Sequence, residues 1–345
     1  SKSGFTIALF YIIFIGLIML FTNLCLGEVI LRTKEKHQLS GYAGKYLGKT
    51  GKNFMSFAFI FGIYAALVAY ALVIGESLSF LFFQNTGYSL LFGFLFAILM
   101  TGFLWRGLKF LKGYEKIGVL IILSLLVVII LIFFNKISLE NLSGFNFNYL
   151  FLPFGVILFS FIGFTVIPEI NFVLKKDKSS FKKILIFGSL IPVVFYALFS
   201  LVVVGFKGSA TPEVATLALG VIFIFLGMFT MSNAYLALGN SLQDHFKYDF
   251  GFKKNKAWFL SAIIPILIFL FINMFKYFTF TKILSIGGAV SGGLMGILIL
   301  FIVKKAKEKK ERKPEYSIFI NWFIIALLSL VFIAGVVREI LVALR

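Results

Sequence analysis

The chain alternates between long apolar runs and short polar segments rich in lysine. A membrane helix needs about 20 largely apolar residues, and hydropathy finds ten such runs. They cover Phe5–Leu31, Asn53–Phe83, Tyr88–Trp105, Ile117–Phe134, Tyr149–Leu174, Ile184–Phe206, Pro212–Leu242, Trp258–Phe275, Ile283–Val303 and Ser317–Leu341. The fifth run, YLFLPFGVILFSFIGFTVIPEINFVL, is a poor helix at its centre. Ser160, Gly163 and Thr165 interrupt it and Pro168 follows. A proline inside a helix deprives the carbonyl four residues back, here on Phe164, of its partner. In hydrocarbon each loose carbonyl costs several kcal/mol unless protein, water or an ion satisfies it. The pattern predicts either a proline kink mended by neighbours or a helix broken to hold a solute.

Composition places the chain in the bilayer. It is 60% hydrophobic and 14% charged with a mean hydropathy of +1.02, whereas soluble domains carry about 25% charged residues. The expected class is an all-α integral membrane protein forming one transmembrane domain over 1–345. In a soluble protein the net charge of +19 would suit a nucleic-acid partner. Its placement here gives a better explanation. Most lysines and arginines fall in alternate connections, around 32–52, 106–116, 175–183, 247–256 and 304–313. Basic connections stay cytoplasmic, so the charge orients a multi-pass cell-membrane protein and meets anionic lipid. No nucleic acid is implied. This topology puts Ser1 on the outer side, and one further span is expected ahead of it.

Several chemistries find no support. Cys25 is a lone cysteine, and His37 and His245 sit in polar stretches, so no metal-ligand spacing and no hydrolase triad is present. GKYLGKT at Gly44–Thr50 mimics a phosphate loop, but three residues rather than four separate its glycines. No enzyme and no cofactor is expected.

Ionisable groups within spans are functional hypotheses. Glu76 in the second span could carry a coupling proton or hold a substrate amine; a neutral structural carboxyl is the other reading. Glu28 lies one helical turn before Arg32 and reads as an i,i+4 pair. Glu169 reads as an interface pair with Lys175 and Lys176, and Glu213 as a helix-start acid. Thr230, Ser232 and Asn233 in the seventh span could ligate sodium or substrate, or simply bond between helices. Gly288, Gly292 and Gly296 have small-xxx-small spacing, which favours close helix packing.

Taken together, GEVILRTKEKHQLSGYAGKYLG at Gly27–Gly48, PFGVILFSFIGFTVIPEI at Pro153–Ile170, ALGNSLQDHFKYDFG at Ala237–Gly251, GGAVSGGLMGILILFIVKKAK at Gly287–Lys307 and KPEYSIFINW at Lys313–Trp322 resemble the amino acid/auxin permeases. The resemblance extends to their bacterial relatives, the aromatic amino acid permeases. It implies the amino acid–polyamine–organocation superfamily and a leucine-transporter-like fold of two inverted five-helix repeats plus an eleventh helix. On that plan 5–134 holds four helices of the first repeat, 149–303 the second repeat and 317–341 the extra helix. The missing span would be the family's first helix, itself broken.

The resemblance also assigns roles. Ser160, Phe161, Gly163, Phe164 and Thr165 match the unwound substrate-binding stretch, and Tyr64 and Tyr70 lie on the helix that closes over substrate. Thr230, Ser232 and Asn233 fall near a sodium-site Ser/Thr pair, although alignment through Ala237–Gly239 puts Asn233 and Ala234 there. Coupling through sodium or through a proton on Glu76 both stay open. The expected function is symport of a neutral amino acid, apolar or aromatic. The rival reading is a passive channel or a non-transporting membrane subunit, although no continuous polar stripe runs along the spans.

Overall fold

The computed structural model describes residues 2–35, 37–106, 108–174, 178–212, 221–275 and 278–343, with backbone alone for 108–117, 172, 222–223, 275 and 343. Among these residues regular structure is helical throughout, with no strand. The helices are α1 (Phe5–Arg32), α2 (Leu39–Phe83), α3 (Ser89–Arg106), α4 (Leu108–Phe133), α5 (Phe154–Ser160), α6 (Ile167–Val173), α7 (Phe181–Lys207) and α8 (Val221–Tyr248). There follow α9 (Lys254–Trp258), a π-helical turn at Phe259–Ile263, α10 (Ile264–Phe275), α11 (Phe280–Gly287), a second π turn at Gly288–Gly292, α12 (Gly293–Lys309) and α13 (Trp322–Ala343).

Among the described residues, eight helical stretches are long and apolar enough to cross a membrane. They match eight of the ten expected spans. The fifth expected span is two helices of seven residues each, and part of the seventh, 213–220, lies outside the described residues.

Three boundaries differ from the sequence expectation. The stretch 39–52, expected as a polar connection, is helical and joins the second span. Leu39, Tyr42, Ala43 and Tyr46 are buried, and their spacing is that of an apolar stripe on a helix. Gly48 has φ 73°, a left-handed conformation that glycine adopts without a Cβ penalty, and it turns this amphipathic stretch away from the span proper. The last helix starts at Trp322 rather than Ser317, because the Asn321 side chain accepts the Ile324 N–H at 2.8 Å and caps it. His245, expected in a polar stretch, is buried on α8 and pairs with Asp249 one turn on, at 2.9 Å.

The chain folds into two compact units, each drawn from several parts of the sequence. The first comprises Ser1–Thr6, Ile63–Asn146 and Leu198–Leu284. Its core includes Ile129 and Phe133 of α4, Val202 and Val203 of α7 and Leu226 of α8. Helices α2 and α3 approach closely, since a Cβ on Gly75 would stand 2.2 Å from the Ser89 carbonyl oxygen. The second unit comprises Ile7–Gly62, Phe147–Ala197 and Ser285–Arg345. It contains α1, the start of α2, α5, α6, most of α7, α12 and α13. Here the Tyr11 and Phe154 rings meet edge to face at 6.0 Å, and Gly296 lets the Phe332 ring approach α12, with a Cβ there 2.7 Å from the ring.

Candidate functional site

The second unit contains an interrupted apolar segment. Helix α5 ends at Ser160 and α6 begins at Ile167, leaving Phe161–Val166 non-helical. The local chemistry explains the ending. The Ser160 hydroxyl donates to its own helix at the Ile157 carbonyl, 2.8 Å away, a local bond that competes with helix propagation. The Phe161 and Ile162 N–H groups then fold back three residues, to Leu158 and Phe159, tightening the last turn. Gly163 follows, and its carbonyl takes the Val166 N–H at 3.2 Å.

Pro168 has another part than expected. It lies in the first turn of α6, where no N–H partner is required. It starts the second half-helix; it does not strip the Phe164 carbonyl from within a continuous one.

The residues of this strip differ in exposure. Ser160 is exposed, Gly163 and Thr165 are half-buried, and Phe164 is fully buried. Phe161 is 8% exposed. A residue that the sequence did not single out completes the strip. Tyr196 of α7 donates its hydroxyl to the Ser160 carbonyl at 3.3 Å, and its ring meets that of Phe161 at 5.3 Å and 57°. Helix α1 passes the same place as bare backbone, since a Cβ on Gly16 would stand 2.5 Å from Val193 and 3.4 Å from the Phe161 ring.

Helix α5 is held from another side by the π turn. A Cβ on Gly288 would lie 2.3 Å from the Gly155 carbonyl oxygen, and one on Gly292 would lie 3.0 Å from Ile162. The glycine pattern of this stretch is therefore used for close packing, directly against the broken segment.

Candidates in the first unit are arranged differently. The Tyr64 hydroxyl donates to the Leu260 carbonyl at 2.7 Å, within the π turn of Phe259–Ile263. Tyr70 and Glu76 are half-buried on α2. Thr230 and Ser232 donate to the carbonyls of Leu226 and Met228 on their own helix, at 2.6 and 2.7 Å. The Asn233 amide instead faces α4 across Gly118, whose absent Cβ would stand 3.1 Å from its nitrogen. These three polar side chains therefore make separate contacts rather than one shared set of bonds.

A second polar cluster lies at the basic end of α1. Glu28 pairs with Arg32 at 2.7 Å as expected. The sequence did not foretell the rest. The wholly buried carboxylate also takes Lys307 at 2.8 Å, the Ser317 hydroxyl at 3.0 Å and the Ile318 N–H at 2.7 Å. Tyr316 adds a bond to the Leu24 carbonyl at 2.8 Å. The non-helical stretch between α12 and α13 is thus strapped across the end of α1. Outside the spans, hydrogen bonds from Lys45 and then His37 hold the Glu35 carboxyl below its ordinary range. Burial alone would lower Lys45, but Glu311 and Glu35 outweigh it and raise its pKa. Lys175 and Lys176, the expected partners of Glu169, lie outside the described residues, as does Glu213.

Comparison with known proteins supplies a family. The chain matches the tryptophan/tyrosine permease family over residues 1–211. It is also 25% identical, over 191 residues, to a protein of Aliivibrio fischeri (strain ATCC 700601 / ES114) named glutamine transporter 2. That alignment covers 54% of this chain and 49% of the relative, so the chain spans about half the length of the curated relative it matches.

Proposed function

The chain belongs to the tryptophan/tyrosine permease family, and from that premise we propose that it acts in secondary active symport of a neutral, aromatic amino acid. Family membership makes it a multi-pass membrane permease rather than an enzyme. The finer reading adds a proton or sodium gradient as driving force, alternating access, an inverted-repeat fold and basic connections on the cytoplasmic side of the cell membrane.

One observation carries this reading: the interruption of α5–α6 at Phe161–Val166 within an apolar segment. Open backbone at membrane depth persists only where protein, water or a ligand satisfies it. A zwitterion suits such a place. Its carboxylate accepts from backbone N–H groups and its ammonium donates to carbonyls. Ser160, Phe161, Gly163, Phe164 and Thr165 are the residues assigned to substrate here. The same reading assigns substrate contact to Tyr64 and Tyr70, and ion coupling to Glu76, Thr230, Ser232 and Asn233.

The test is uptake by the native full-length protein in liposomes. Labelled tryptophan, tyrosine, leucine and glutamine are each supplied under a proton gradient and under a sodium gradient. Saturable, gradient-driven accumulation with counterflow supports the reading. No accumulation of any amino acid under either gradient ends it, and single-channel currents would favour a pore instead.

A further inference from the structure

We propose that Tyr196 of α7 determines the preference for an aromatic side chain. The inference rests on the reading of the broken segment as the substrate site, and it adds a residue that neither the motifs nor the family comparison assigns. Three observations in the second unit converge on this tyrosine.

The hydroxyl reaches the end of α5. At 3.3 Å from the Ser160 carbonyl the bond is longer than the usual protein hydrogen bond. Ser160 is the last residue of α5, and its carbonyl has no following helical turn to bond. A substrate ammonium would make a shorter, charge-assisted bond to the same oxygen and displace the tyrosine hydroxyl. The tyrosine therefore occupies the acceptor until a substrate takes it.

The ring forms a pair with Phe161. Centroids 5.3 Å apart at 57° fall within the range in which aromatic edges and faces attract. The tilted arrangement does not stack one face fully on the other, so a third ring can join edge to face. Phe161 is nearly covered, whereas Tyr196 is half-buried. Tyr196 is thus the member of the pair with surface left to offer.

The pair is also braced. Bare backbone at Gly16 of α1 leaves room for Phe161 and for Val193, one turn before Tyr196. A ring whose position is set by its neighbours can discriminate side-chain shape, because little ordering remains to be done on binding. An indole or phenol gains a ring contact here; a leucine side chain gains area alone.

The experiment compares uptake of labelled tryptophan and leucine by wild type, Tyr196→Leu, Tyr196→Met and Tyr196→Phe in the full-length protein. One added aromatic pair corresponds to about a fivefold change in affinity. Tyr196→Leu should raise the KM for tryptophan about fivefold relative to that for leucine. Tyr196→Met should do the same, and it stands in if the leucine variant does not fold. Tyr196→Phe keeps the ring and should retain the wild-type ratio of tryptophan to leucine KM. Equal shifts for both substrates, or no shift, in a folded Leu or Met variant overturn the proposal. Loss of the ratio in Tyr196→Phe overturns it too. If wild type transports no amino acid, the site reading itself falls and this proposal with it, an outcome distinct from a wild type that transports with an unmoved ratio in the variants.

Discussion

Replacing Glu28 by alanine should destabilise the second unit by about 3 kcal/mol. Removing one member of a buried ion pair costs about 3–5 kcal/mol, since the remaining charge stays behind without compensation. The Glu28 side chain is 0% exposed, while Arg32 and Lys307 are 14% and 22% exposed. Lys307 also keeps the Ser317 hydroxyl and the Ile318 carbonyl, each at 2.8 Å. Partial access to solvent and these remaining acceptors place the effect at the lower end of that range. Glu28→Gln preserves shape and an acceptor for the Ile318 N–H, so its cost should be smaller, about 1–2 kcal/mol. Equilibrium unfolding in detergent micelles would measure both. A double-mutant cycle with Lys307→Met isolates the pair, and a coupling of at least about 0.5 kcal/mol is expected for groups in direct contact. Hydrogen exchange at the Ile318 amide would localise the effect, because that N–H should lose protection before the spans do. The reasoning is refuted if Glu28→Ala lies within about 0.5 kcal/mol of wild type, or if the cycle shows no coupling.

Two smaller perturbations test other parts of the structure. Pro168→Ala should cost under about 1 kcal/mol, because a proline in the first helical turn gives up no bond that the helix needs; a stabilisation near 3 kcal/mol in unfolding measurements would instead reveal a proline inside a continuous helix. Lys45→Met should return the Glu35 carboxyl upward toward its ordinary range, since the Lys45 hydrogen bond is the largest influence depressing it. The sign follows from linkage: a depressed carboxyl stabilises above its unfolded pKa and loses that contribution as pH falls through the folded value. Carbon-detected NMR titration of the carboxyl would read the change, and an unmoved midpoint in the variant would count against the pairing.

Much of the architecture could be read from local pattern. Apolar runs located eight long helices because membrane insertion depends on summed hydropathy over one segment. The interruption near Ser160 was legible for a related reason: a back-bonding serine, a glycine and a following proline act on their own backbone within a few residues. The amphipathic start of α2 was missed: its lysines suggested a connection, and the stripe of Leu39, Tyr42, Ala43 and Tyr46 stands out only once they are seen buried.

What the linear pattern could not supply is which distant groups meet. Nothing near Glu28 announces Ser317 or Ile318, the latter 290 positions away, and nothing near Ser160 announces Tyr196. Thr230 and Ser232 stand beside Asn233 in the sequence, yet each bonds to a carbonyl of its own helix. Backbone propensity and hydropathy are properties of neighbours along the chain, so sequence alone determined where most of the spans lie and where one of them is interrupted. Side-chain partnership depends on how those helices lie against each other, so only the tertiary structure decided that a buried acid clamps a strap and that a tyrosine stands beside the open backbone.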